Sequence, residues 1–202
     1  MSKDSSPRYA APIDLGRPRG ARLLEAFSLK LSRRVWLFDR ASFDQWVRLE
    51  ADPHVLSLCE RPTRLSSTPG ARPVDFWVLD RDGEHLLVIE DEEPAPQTIE
   101  GVAVRRITAA GLAASAMWIG NWHRMLPVIT MCRTLAPKAL ARSVLGFVRE
   151  PVPLSRVEHE LSLGVPSLVR ATIFDLLRTG QLRATSLHTQ ALSLHTLVEP
   201  AP

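Results

Sequence analysis

Residues 72–92 read RPVDFWVLDRDGEHLLVIEDE, and no other stretch limits the possible folds of the chain so tightly. Two apolar, β-branched runs flank Asp82-Gly83. That dipeptide suits a type I′ hairpin, because both central positions of the turn need positive φ. With Asp82 and Gly83 as a two-residue loop, Arg81 faces Glu84, Trp77 faces Val88 and Asp75 faces Glu90. Alternation puts Asp75, Trp77 and Leu79 on one face with Leu86, Val88 and Glu90, and Phe76, Val78, Leu87 and Ile89 on the other. Both faces are largely apolar, which predicts a hairpin central to a sheet covered on both sides.

Two carboxylates opposed across a hairpin are physically unusual. Directly opposed residues have Cβ atoms about 4.5–5.5 Å apart, and like charges there destabilise the pair. A hard cation, a shared proton or screening solvent must offset the repulsion. The pairing therefore marks Asp75 and Glu90 as a candidate site. The alternative is a pair of solvated strand ends that never meet, since a one-residue change in loop length breaks the register.

The 202 residues suffice for one large domain or two small ones, and a composition 45% hydrophobic and 23% charged is that of a packed globular protein. The net charge of +3 permits nucleic-acid binding only where it is concentrated on one face. Cys59 and Cys132 lie far apart without metal-ligand spacing, which fits buried free thiols in a reducing cytoplasm. His123, His159, His188 and His195 likewise lack ligand spacing. No apolar run approaches the ~18 residues of a membrane span, and the polar amino terminus lacks a signal-peptide core, so no membrane partner is expected.

Composition divides the chain into three parts. Residues 1–22, rich in Pro, Gly, Ser and Arg, read as a flexible or loosely docked arm. Residues 23–134 read as an α/β layer. Within it, residues 42–50 form a helix with a capping box from Ser42 to Gln45, and residues 54–60 and 63–67 form strands. Beyond the hairpin, residues 101–107 make a strand beside that of Glu90, residues 109–116 a short helix, and residues 118–126 a helical run that Pro127 interrupts.

Residues 135–202 form the third part. Pro137 opens a helix with Leu140, Val144, Phe147 and Val148 in its stripe; a second helix covers residues 155–161 and a third residues 167–179, ended by Gly180. Two β-type segments follow, at residues 181–187 and 191–198. Helix, helix, turn, helix and a two-stranded wing is the order of a winged helix-turn-helix. Its recognition helix would expose Ser167, Arg170 and Arg178, with Arg183 on the wing, where Arg can meet phosphate or guanine in DNA. Asp175 on the same helix dilutes the positive charge, and winged helices also bind proteins.

In succession, LEADPHV, CERP, PVDFWVLDRDGEHLLVIEDE and IGNWHRML resemble the TnsA family, the endonuclease subunits of heteromeric cut-and-paste transposons. The resemblance implies a restriction-endonuclease-like mixed sheet core, of the PD-(D/E)xK type, joined to a carboxy-terminal winged-helix domain. It also implies cytoplasmic DNA recombination with a transposase subunit and an AAA+ ATPase as partners. Asp75 and Glu90 stand where the family assembles a site for Mg2+ or Mn2+ that serves phosphodiester hydrolysis. A helix carboxylate completes such sites, and Asp44 is the candidate for it.

At residue 92 the chain departs from the pattern. The family expects Lys two positions beyond Glu90, a cation that orients water and offsets developing charge. Glu92 reverses the local field. The only lysines are Lys3, Lys30 and Lys138, and Arg72, Arg105 or Arg106 could supply charge but is a poor proton acceptor. The segment that follows is shortened to EEPAPQT. The expectation is a TnsA-like subunit that binds DNA and a transposase, with an impaired nuclease core. The alternatives are an active metal-dependent endonuclease that uses Asp75, Glu90, Glu92 and another residue in place of Lys, and a winged-helix regulator.

Overall fold

The computed structural model of the chain describes residues 7–90, 96–162 and 164–202, which divide between two compact units. One comprises Met1–Glu50 and His54–Ala113, the other Ala51–Pro53 and Ala114–Pro202. The division falls earlier in the chain than the change of composition at Leu135.

The protein is α/β. In chain order the first part holds β1 (Leu24–Ser28), β2 (Arg33–Leu37), α1 (Arg40–Ala51), β3 (Val55–Glu60), β4 (Phe76–Asp80), β5 (Gly83–Ile89), β6 (Thr98–Ile99), β7 (Val102–Ile107) and α2 (Ala109–Ala114). β1 and β2 pair as an antiparallel hairpin, which the mixed pattern of residues 23–38 did not announce. The other strands form a five-stranded mixed sheet in the order β3-β4-β5-β7-β6. β5 and β7 run parallel and their neighbours antiparallel. As the two-sided apolar pattern requires, β4 and β5 are interior strands, and Phe76, Trp77, Val78, Leu86, Leu87 and Val88 are all buried. Residues 63–67 make no strand; Arg64 forms only an isolated bridge to Pro73.

The hairpin closes one step earlier than Asp82-Gly83 suggests. Asp80 pairs with Gly83 and Trp77 with Leu86, so Arg81 and Asp82 are the loop and Asp75 does not face Glu90. Asp80 supplies the reason. Its Oδ1 accepts the amide N–H groups of Asp82 (2.9 Å) and Gly83 (3.0 Å), a side-chain mimic of a turn that fixes the chain reversal directly after it. Gly83 still provides the positive φ, at 138°. The shift keeps every residue on its expected face.

That face carries a cluster of Cys59, Val74, Trp77, Leu86, Val88 and Val102. Tyr9 packs on it, its ring edge-on to Trp77 at 5.9 Å, while its hydroxyl donates to Glu100 Oε2 at 2.8 Å. Arg8 pairs with Glu84 at 2.9 Å, and Ile13 N–H donates to the Arg61 carbonyl. The described start of the amino-terminal arm is thus docked through one aromatic, one charged and one backbone anchor.

α1 begins two residues before the proposed capping box. Asp39 caps it, accepting the Ser42 amide (2.7 Å) on Oδ1 and the Ser42 hydroxyl (2.7 Å) on Oδ2. Near the other end, Glu50 is fully buried beneath the β1–β2 turn. It accepts the Ser28 hydroxyl at 2.6 Å and the Leu29 and Lys30 amides at 2.9 and 3.0 Å. A buried carboxylate is tolerable only with such donors.

The second unit contains α3 (Ala116–Cys132), α4 (Lys138–Phe147), β8 (Val152–Pro153), α5 (Leu154–Leu161), α6 (Pro166–Arg178), β9 (Leu182–Arg183) and β10 (Leu197–Pro200). Pro127 does not interrupt α3. The buried stripe of Ile119, Trp122, Leu126 and Ile129 continues past it, and packing outweighs the one lost backbone bond. β8 and β9 flank β10 in a small antiparallel sheet. The two β-type segments shrink to β9 and β10 because the chain between them is held otherwise. Buried Asn121 of α3 donates to the carbonyls of Leu187 and Gln190, both at 2.8 Å, and accepts the Leu192 amide at 2.7 Å. α6 is the central helix, burying Val169, Ile173, Phe174, Leu176 and Leu177.

Glu50→Ala leaves the Leu29 and Lys30 amides without that acceptor, so urea denaturation is expected to show a loss of about 2–4 kcal/mol. A loss within ~0.5 kcal/mol, the range of an ordinary surface substitution, contradicts the role assigned to Glu50.

Candidate functional site

Asp75 stands at the residue before β4, and Glu90 directly follows β5. The early closure of the hairpin sets them diagonally. Asp75 N–H donates to the Leu87 carbonyl (3.1 Å), and Glu90 N–H to the Ile107 carbonyl (3.0 Å). Between them, Ile89 N–H donates to Asp75 Oδ2 at 2.7 Å, so this side chain continues the strand ladder past the end of the backbone pairing.

The repulsion is offset by a guanidinium. Arg72 Nη2 lies 3.1 Å from Asp75 Oδ2 and donates to the Ile89 carbonyl at 2.7 Å, while Nη1 lies 3.3 Å from Glu90 Oε2. Pro73 follows it and Arg72 sits three residues before Asp75, a spacing that carries the side chain back over the strand end. Asp75 and Glu90 are mostly buried there and Arg72 half exposed, so the cation roofs the pair. One of the three arginines named from sequence as a charge source is therefore on the site. Arg105 is elsewhere, 3.9 Å from Asp80 and 3.5 Å from His85 Nε2, at the turn end of the sheet. Burial and Arg105 lower the pKa of His85 against the opposing pull of Asp80, 3.4 Å from Nδ1.

Asp75 titrates far above an ordinary carboxylate, at about 6. Burial is the main cause; the Ile89 N–H and Arg72 pull the other way, and the charges of Asp39 and Glu90 add to the rise. Asp39 is thus the carboxylate of the α1 end that bears on Asp75. Asp44 instead accepts Arg40 Nε on both oxygens at 2.9 Å, an i,i+4 pair on the helix surface. No local pattern marks Asp39, whose role as a helix cap follows only from the true start of α1. Glu92, the remaining residue proposed for catalysis, lies outside the described residues.

The resemblance implies Mg2+ or Mn2+ on Asp75 and Glu90. Asp75 Oδ2 is committed to Ile89 and Arg72, and Glu90 Oε2 to Arg72. Among the described residues no group of three or more His, Cys, Asp or Glu could hold a metal ion. With Arg72 in place, the described donor set does not fit a divalent cation.

The residues proposed to touch DNA divide likewise. Ser167 is exposed at the start of α6. Arg170 forms a two-pronged pair with Glu158 of α5, at 2.5 and 2.7 Å. Arg178 lies 2.7 Å from Asp175, and Arg183 pairs with Glu199 across β9 and β10 at 2.9 Å. All three cations proposed to meet phosphate are engaged by carboxylates of the same unit. No protein-family model matches the chain, and no curated protein does.

A raised pKa has a definite sign in stability. Between pH 4 and 6 folded Asp75 holds more protons than unfolded Asp75, so its contribution falls as pH rises through that window and is level above it. Relative to Asp75→Asn, the wild type is expected to lose on the order of 2 kcal/mol between pH ~4 and ~6.5 in urea titrations. An unchanged difference contradicts a buried Asp75.

Proposed function

We propose that the protein is a TnsA-like subunit of a heteromeric DNA transposition or integration machinery, binding DNA and a transposase, with a catalytically impaired nuclease core. The observation that carries this reading is Arg72 seated on Asp75 and Glu90, the two residues at the positions where the resemblance expects a metal site. Glu92 in place of the expected Lys argues the same way from sequence. Both replace the charge that hydrolysis needs: a cation of the chain lies on the carboxylates, and an anion stands where the ammonium belongs.

The topology supports the fold side of the reading. A mixed sheet with α1 before it and the two carboxylates at adjacent strand ends suits a restriction-endonuclease-like core. In the second unit, helix α4, strand β8, helices α5 and α6, then β9 and β10 in the order β8-β10-β9 suit a winged helix-turn-helix. Phosphate contact through Arg170, Arg178 or Arg183 would have to compete with Glu158, Asp175 and Glu199, which leaves the exposed start of α6 at Ser167 as the approach for DNA.

The test is to identify a transposase encoded beside this protein and reconstitute the two, scoring cleavage at the 5′ ends of the transposon in magnesium or manganese. Equal cleavage by wild type and Asp75→Ala is the expected outcome. Cleavage by the wild type that falls about 100-fold or more in Asp75→Ala overturns the impaired reading and makes the protein the nuclease.

A further inference from the structure

We propose that the junction between α3 and α4 is a docking surface for an acidic amphipathic segment of a partner protein, a role independent of the Asp75 and Glu90 site. From Gly101 to Arg149 the sequence contains no Asp or Glu. The part of this run in the second unit carries Arg124, Arg133, Lys138, Arg142 and Arg149. On α5 and α6, Arg170 pairs with Glu158 and Arg178 with Asp175. On α4, Lys138 and Arg142, one helical turn apart, are exposed and pair with no carboxylate among the described residues.

Large apolar side chains stand exposed on the end of α3 and in the turn that leads to these cations. Met131 is 78% exposed and Leu135 66%. The Leu135 and Ala136 amides both donate to the Cys132 carbonyl, at 2.9 and 3.0 Å, in the turn that ends α3 and leads to Lys138. Val165, 50% exposed, precedes α6, whose start is near by: Cys132 Sγ lies 3.9 Å from the Ser167 carbonyl oxygen.

The two features together select the partner. Single exposed hydrophobic residues are ordinary on a monomer, but several beside an acid-free basic helix form a surface with two requirements. A phosphate backbone meets only the charge and leaves Met131 and Leu135 in water. A helix with leucine-type anchors on one side and carboxylates on its flanks meets both, covering the apolar side chains and facing Lys138 and Arg142.

The probe is a fluorescein-labelled helical peptide of ~18 residues, with Leu at helical spacing and Glu elsewhere, titrated with the full chain by fluorescence anisotropy. A version with Lys in place of Glu and an unrelated DNA duplex run beside it. The acidic peptide is expected to bind at ~10 μM and the Lys version not to bind. Leu135→Ser and Arg142→Ala should each weaken binding about fivefold or more, and salt raised from ~50 to ~300 mM should weaken it further. Both substitutions are at exposed positions, and unchanged urea melts confirm that each variant is folded. Absence of peptide binding at ~1 mM, or affinity indifferent to both substitutions, overturns the proposal. So does an Arg142→Ala effect confined to the duplex, which assigns the surface to nucleic acid.

Discussion

The hydrogen bond from Ile89 N–H to Asp75 Oδ2 organises the strand ends on which the candidate site rests. A carboxylate in the place of a ladder carbonyl carries its charge into a largely buried position, where it raises its own pKa and requires a counter-charge. Arg72 answers that requirement and in doing so reaches Glu90 as well. Strand pairing, burial and ion pairing are therefore linked. A one-residue slip of β4 in its pairing register would carry Asp75 to the other face of the sheet.

The fold was legible in sequence wherever periodicity carried it. The two-sided apolar runs of residues 76–79 and 86–89 placed the hairpin inside a sheet, and the strand at 101–107 lies beside β5 as expected. The loop was misplaced because propensity favours Asp-Gly, whereas the side chain of Asp80 decides the matter through two hydrogen bonds. Pro127 misled in the same way: its effect on an isolated helix is real, but α3 is set by its buried stripe. The β1–β2 hairpin lacked a clear alternation and was missed. Its turn is held from outside by Glu50, a long-range contact that no local pattern reports.

The site was half legible. Asp75 and Glu90 do lie together, although for a different reason from the direct pairing first inferred. The cation between them was nameable from Arg72 at three residues before Asp75, but choosing it over Arg105 or Arg106 required the path of the chain around Pro73. The second unit shows the complementary failure. Arg170, Arg178 and Arg183 looked available because helical spacing reveals which residues share a face and not which acids they meet; Glu158 and Glu199 come from neighbouring elements. The proposed function accordingly rests more on how charge is neutralised than on which residues are present.

The central claim is that Arg72 is the counter-charge of Asp75, and NMR titration of the Asp75 side-chain carboxyl carbon tests it most directly. In the wild type that carbon should titrate at about 6, and in Arg72→Ala at a distinctly higher pH, because burial and the charges of Asp39 and Glu90 then act unopposed by the guanidinium. A midpoint that does not move in the variant, or one already in the ordinary carboxylate range in the wild type, would contradict the account.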